Sequence, residues 1–137
     1  MRMILTLSVS GTNKHTLDSL IAADFLTIYG KEFGISDSNL HGNNKYSFSE
    51  YSLRRKLANE AIRTLVLEHL VDVSQESNGF HYSLSTKGVT FATSLDSDYA
   101  NEYRKFSALA HRYMDIKNEQ ELLHLISNNA VAKLKEV

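Results

Sequence analysis

Apolar residues recur along this chain with two periods. Leu53, Leu57, Ala61 and Leu65 fall at every fourth position, and Ala58, Ile62 and Val66 widen the stripe. That spacing predicts one long helix. Ser47 and Glu50 stand at capping-box spacing and set its expected start between them. The period then changes to two. Leu70-Val71-Asp72-Val73 alternates, Ser77-Asn78-Gly79 supplies a turn, and Phe80-His81-Tyr82-Ser83-Leu84 alternates back as a hairpin. Ser85 or Thr86 caps a further helix that runs on through Val89-Thr90-Phe91-Ala92.

Residues 97–117 form a longer predicted helix, with Ser97 at its cap. Tyr99, Tyr103, Phe106, Ala110, Tyr113 and Met114 repeat on it at four- and three-residue steps. This is a narrow seam that packs on one partner helix, either in this chain or in another subunit. A last helix is expected over residues 119–134, with Leu122, Leu123, Ile126, Ala130 and Leu134 on one arc. Near the start of the chain, residues 4–8 read as a short strand, which would need the hairpin as its partner. A helix over residues 16–29 follows, capped by Thr16 and stopped by Gly30. Its expected buried face is Leu17, Ile21, Phe25 and Ile28, helped by Leu20 and Ala23. Asp18 suits its first turn, whereas Asp24 sits mid-helix and requires solvent or a basic partner. Residues 31–48 are rich in Gly, Ser and Asn and read as a loop anchored by Phe33, Ile35 and Leu40.

Helix, hairpin, helix in this order is the outline of a winged helix. The expected fold is mainly α with a small β-hairpin: a winged-helix-like domain over 1–95 and helices over 96–137 packed on it as one globular unit. The length of 137 residues fits one domain that needs no metal or disulfide to fold. The chain has no cysteine, which excludes a disulfide framework and a zinc–thiolate site. No apolar run approaches the roughly 20 residues of a membrane span, and the N-terminal apolar run is too short for a secretory signal. A cytoplasmic location is the expectation. The net charge of −1 does not steer the whole molecule toward nucleic acid, so any such role rests on a local patch.

The sequence carries no catalytic constellation. The six histidines, His15, His41, His69, His81, His111 and His124, form no His-x-x-x-His pair and no metal-ligand spacing with a carboxylate. Phosphate-binding glycine loops and a nucleophile elbow are both missing. Asp96 and Asp98 read as capping and dipole features rather than acid–base machinery. The expectation is a non-enzyme without cofactor or metal.

The basic residues are more informative. At 100° per residue Arg55, Asn59 and Arg63 line up on the central helix, with Lys56 beside them and Glu60 at the margin. This stripe lies opposite the Leu53-Leu57-Ala61-Leu65 row. In a DNA-reading winged helix it would enter the major groove. The hairpin tip Gln75-Glu76-Ser77-Asn78-Gly79 carries an acid and no base, a poor phosphate binder. A solvated face with ion pairs, a protein-docking face and a DNA-reading face all remain open. Arg54 falls within the apolar arc instead. It is either rescued by the first turn or committed to a buried carboxylate.

Several stretches together resemble a known family. These are Leu17-Asp18-Ser19-Leu20, Asp24-Phe25-Leu26, Asn39-Leu40-His41, Ser49-Glu50, Arg54-Arg55, Leu70-Val71, Gly79-Phe80-His81-Tyr82 and Ser97-Asp98-Tyr99-Ala100. Their order and spacing, over roughly residues 17–113, resemble the small middle component of bacterial ABC-three-component systems, which include Lamassu-type anti-phage systems. The family tends to have proline after the Leu-His pair, where Gly42 stands here. The resemblance implies a non-catalytic accessory subunit that scaffolds an SMC/Rad50-like ATPase, which senses foreign DNA, and a nuclease-type effector. Contact with DNA would be mainly indirect, with no membrane or small-molecule substrate. Arg54-Arg55 and Leu40-His41 match family motifs and are interface candidates. Tyr99, Tyr103, Phe106 and Tyr113 join them because aromatics anchor protein interfaces. Arg55, Lys56, Asn59 and Arg63 are the candidate DNA-backbone contacts of the alternative reading, a winged-helix transcriptional regulator.

Overall fold

A computed structural model describes residues 1–10, 13–35 and 51–116. The Ser47/Glu50 cap, the Leu40-His41 pair and the helix expected over 119–134 lie outside the described residues. Within them the fold is mainly helical with one two-stranded antiparallel hairpin. The elements are α1 (Arg2–Val9), α2 (Leu17–Ile28), a 3-10 turn (Gly30–Phe33), α3 (Tyr51–Leu67), β1 (Val71–Glu76), β2 (Gly79–Leu84), α4 (Thr86–Ser94) and α5 (Asp98–Ile116). A single residue between α1 and α2, His15, pairs with Tyr82 of β2 through both backbone groups, at 2.9 and 2.7 Å. This order is compatible with a winged helix.

The expected strand at residues 4–8 is instead the helix α1. Met3, Ile4, Leu5, Thr6 and Leu7 are all buried, so the run has no alternation to separate strand from helix. A strand there would need a sheet edge, and among the described residues the free side of β2 is met by His15 alone. A helix satisfies its own backbone and can be surrounded. Met3 and Leu7 join the core with α2 and α3, Ile4 packs with Leu70 and Ala92, and Leu5 packs with Ala100 and Tyr103. Each such side chain contributes about 1.5–3 kcal/mol on burial. The helix α1 is thus the axis on which the other elements pack.

The caps follow the sequence closely. Thr16 Oγ1 accepts from the Ser19 N–H at 3.1 Å, Ser85 Oγ from Gly88 at 3.0 Å, and Ser97 Oγ from Ala100 at 3.1 Å. On two helices the buried face is rotated toward one edge of the expected stripe. On α3 the buried positions are Ala58 and Ile62, while Leu53 and Leu57 are 57% and 50% exposed. Small Ala58 lets α3 approach α2 closely, and the same rotation carries Arg54 inward. On α5 the buried row is Ala100, Tyr103, Ser107 and Ala110, with Tyr99, Phe106, Tyr113 and Met114 half-buried beside it. The seam's partners are in this chain, α1 and α2. From Leu20 through Gly30, α2 and its continuation are buried all round.

The exit from α3 places the hairpin. His69 takes a left-handed φ of 63°. Its N–H bonds the Val66 carbonyl, and the Leu70 N–H reaches back to Leu65, each at 3.0 Å, which closes a Schellman motif. The Leu70 carbonyl then accepts from Ser85 N–H at 3.0 Å and lies against Gly88. A Cβ built on Gly88 would fall 1.9 Å from that carbonyl oxygen. Helix propensity alone favours alanine over glycine by about 1 kcal/mol. The backbone clash reverses the sign, so Gly88→Ala should destabilise the protein by about 2–3 kcal/mol. Urea unfolding of the two proteins checks this.

Candidate functional site

Asp24, on α2, is 4% exposed and draws three elements together. Arg2 Nε lies 3.4 Å from one carboxylate oxygen, and the Tyr103 hydroxyl donates to that same oxygen at 2.6 Å. Arg54 Nη1 stands 3.9 Å from the other oxygen. Arg54 also donates to the Tyr29 hydroxyl at 3.2 Å, with its guanidinium 5.4 Å from that ring's centroid. Burial first, and the Asp24 charge second, hold the Tyr103 phenol well above its ordinary pKa, so it remains a donor. Burial also raises Tyr99, whose ring lies 6.3 Å from that of Tyr103.

Two sequence-predicted candidates, Arg54 and Tyr103, therefore meet at one buried acid, and a third, Tyr99, lies beside Tyr103. Tyr103 has no exposed surface and Arg54 little, so both act from inside the fold. Of the two outcomes open to each in the sequence, solvent or a base for Asp24 and the first turn or a buried carboxylate for Arg54, the structure takes the ion pair. Arg2 carried no signal, because its helix read as a strand.

The other candidates lie on the outside. Arg55 forms an ion pair with Asp18 in the first turn of α2. Lys56, Asn59 and Arg63 are exposed along α3, and neither cation has an ion-pair partner among the described residues. Tyr113 packs beside Leu26 and Ala110. Phe106 is half-buried. Arg104, on the back of α5, is occupied. It donates to the Ala92 carbonyl at 2.5 Å and to Asn101 at 3.0 Å, closing the C-terminal end of α4.

A second polar strip joins α1 to α5. Thr6 Oγ1 lies 3.2 Å from Ser107 Oγ and 2.9 Å from His111 Nε2, and the His111 ring lies tilted against that of His15, 5.4 Å between centroids. Thr6 and Ser107 are fully buried, so neither hydroxyl is available to a substrate. Burial, with His15 alongside, lowers His111 to a pKa of about 4, although Thr6 and Asp115 act in the opposite direction. His15 is lowered mainly by burial. Among the described residues no group of three or more His, Asp or Glu could hold a metal ion. No described helix is long and apolar enough to cross a membrane.

The model of the family "ABC-three component (ABC-3C) system Middle Component 2" matches residues 1–136. The chain belongs to this family. No curated protein and no solved structure matches it. As a middle component of a three-component defence system it works with protein partners. For the middle component, the geometry above then separates buried groups that hold the fold from exposed ones that can meet a partner.

Two outcomes follow for the buried groups. Tyr103→Phe removes one bond to a buried carboxylate and should cost about 1.5–3 kcal/mol, read from the denaturation midpoint. For His111 the folded pKa lies below the unfolded value of 6.5. The unfolded chain therefore takes up the proton first. Its contribution is complete above pH 6.5 and is lost as pH falls toward 4, about 2–3 kcal/mol in all once residual exposure is allowed for. His111→Gln should flatten the stability profile across that window.

Proposed function

We propose that this middle component is a non-catalytic accessory subunit of an anti-phage complex of the Lamassu kind, in the cytoplasm. It would be held between an SMC/Rad50-like ATPase and a nuclease-type effector. The carrying observation is the family match over residues 1–136. The distribution of polar groups supports it. Among the described residues Asp24 is engaged with Tyr103, and Thr6 with Ser107 and His111, inside the fold. Large apolar side chains instead lie outside, on α3, the hairpin and α4. We read residues 1–95 as the winged-helix-like part and 96–137 as the helical extension that braces it. Arg55, Tyr99, Phe106 and Tyr113 keep enough exposure to contribute at a protein interface. Tyr103 and Arg54 would support that interface from behind.

A DNA-binding regulator is the second reading, favoured by the exposed, unpaired Lys56 and Arg63 flanking Asn59. It is weakened by Arg55, which Asp18 already engages, and by Glu76 at the hairpin tip, which lies 3.6 Å from both Lys14 and His81. Expression of the chain together with the other two components of its system should yield one co-purifying complex. A chain that elutes alone beside an assembled ATPase, yet shifts a duplex at low salt, would favour the regulator.

A further inference from the structure

One face of the hairpin carries apolar side chains, Val73 and Phe80, past the part the fold covers, with Gln75 the polar member at the tip. The ladder pairs Val71 with Leu84, Val73 with Tyr82 and Gln75 with Phe80 on one side. The alternate rungs, Asp72 with Ser83 and Ser74 with His81, carry polar side chains on the other. At the base, Val71 is 2% exposed, and Leu84 and Tyr82 pack on the core. Toward the tip, Val73 and Phe80 are 44% and 56% exposed. The end of α3 rises opposite them and offers Val66 and Leu67, the latter 74% exposed. The two walls bound a trough of about 400 Å³ floored by Ile62.

The shape and charge of this trough select its occupant. A small-molecule pocket encloses most of its ligand, whereas the apolar walls here stand largely in water. A duplex would meet apolar Val73, Phe80 and Leu67 where phosphates need cations. Among the described residues the only charged side chain lining the trough is Arg63, which has no ion-pair partner, and Lys56 lies two turns back on the same exposed face of α3. An apolar floor with an unmatched cation on one wall complements an amphipathic helix that carries acids along one edge. We propose that the trough between α3 and the hairpin is the docking site for such an acidic amphipathic helix, supplied by another component of the same three-component system. This rests on the accessory-subunit reading and locates its contact surface.

The test uses the full chain expressed with the other two components. Phe80→Ser and Arg63→Glu should each reduce retention in the complex about tenfold, as loss of a central anchor does. Phe91→Ser is the control: this side chain is exposed to a similar degree, 45%, but sits on α4, and its retention should be unchanged. Thermal midpoints of the three isolated variants should match the parent, because each altered side chain is exposed. Hydrogen exchange in the intact parent complex should show new protection over β1 and β2. If the parent enters the complex and Phe80→Ser and Arg63→Glu enter equally well, the docking site is wrong while the accessory role stands. If the parent itself enters no complex, both fall. Light scattering that shows a parent dimer split by Phe80→Ser would assign the trough to a second copy. Duplex binding abolished by both variants would assign it to DNA. Either result overturns the proposal.

Discussion

A carboxylate in the middle of a buried helix sets the arrangement of this molecule. Asp24 cannot be left alone in the interior, since an uncompensated buried charge costs several kcal/mol. Its partners come from three places far apart in sequence: Arg2 at the start of α1, Arg54 in the first turn of α3 and Tyr103 on α5. Satisfying one acid therefore fixes the rotation of three helices about a fourth. A well-packed apolar core would tolerate several rotations of α3. This one is selected because it brings Arg54 inward, and it leaves Leu53 and Leu57 outside.

The same rotation explains where sequence reading succeeded and where it failed. Local signals were legible: Thr16, Ser85 and Ser97 cap the helices they were expected to cap, and the hairpin turns at Ser77-Asn78-Gly79. These depend on bonds within a few residues. Two separate anomalies are also legible, an acid in the middle of one helix and a base in the apolar arc of another, each with a second way out that left the pair itself open. What joined them was tertiary, and spacing along the chain does not carry it. The apolar stripe on α3 gave the period, and its Ala58-Ile62 edge is the part that is fully buried, with Ala61, Leu65 and Val66 packed against the core and Leu53 and Leu57 left outside. Period comes from the helix, whereas phase comes from what the helix packs against.

The first helix was illegible for a different reason. Five consecutive positions from Met3 to Leu7 are buried, and a short segment surrounded on all sides has no polar face to reveal its period. Thr6 adds to the ambiguity, because a threonine suggests a strand or a surface. It lies instead at the crossing with α5, where Ser107 and His111 meet its hydroxyl. Ser107 interrupts the apolar seam of α5 in the same way: the buried row contains a serine. Both are polar residues made admissible by each other.

Once the buried groups are accounted for, the exposed ones acquire meaning by contrast. Among the described residues the interior Asp24, Tyr103, Thr6 and Ser107 are matched within the fold, whereas Lys56 and Arg63 on the outer face of α3 are not, although Arg55 beside them pairs with Asp18. The hairpin repeats the asymmetry in apolar form. A strand pair with one wetted face ordinarily has apolar residues only where the core reaches. Here the apolar rungs continue to Phe80 beyond any covering element among the described residues, and they turn toward Arg63 rather than away from it. Stability of the isolated chain gives no reason to place aromatic and cationic side chains together at an exposed rim. Recognition does, because the apolar part supplies affinity and the charge supplies register. A component whose buried acid is held inside the fold and whose rim carries apolar and cationic side chains is suited to act through what it holds.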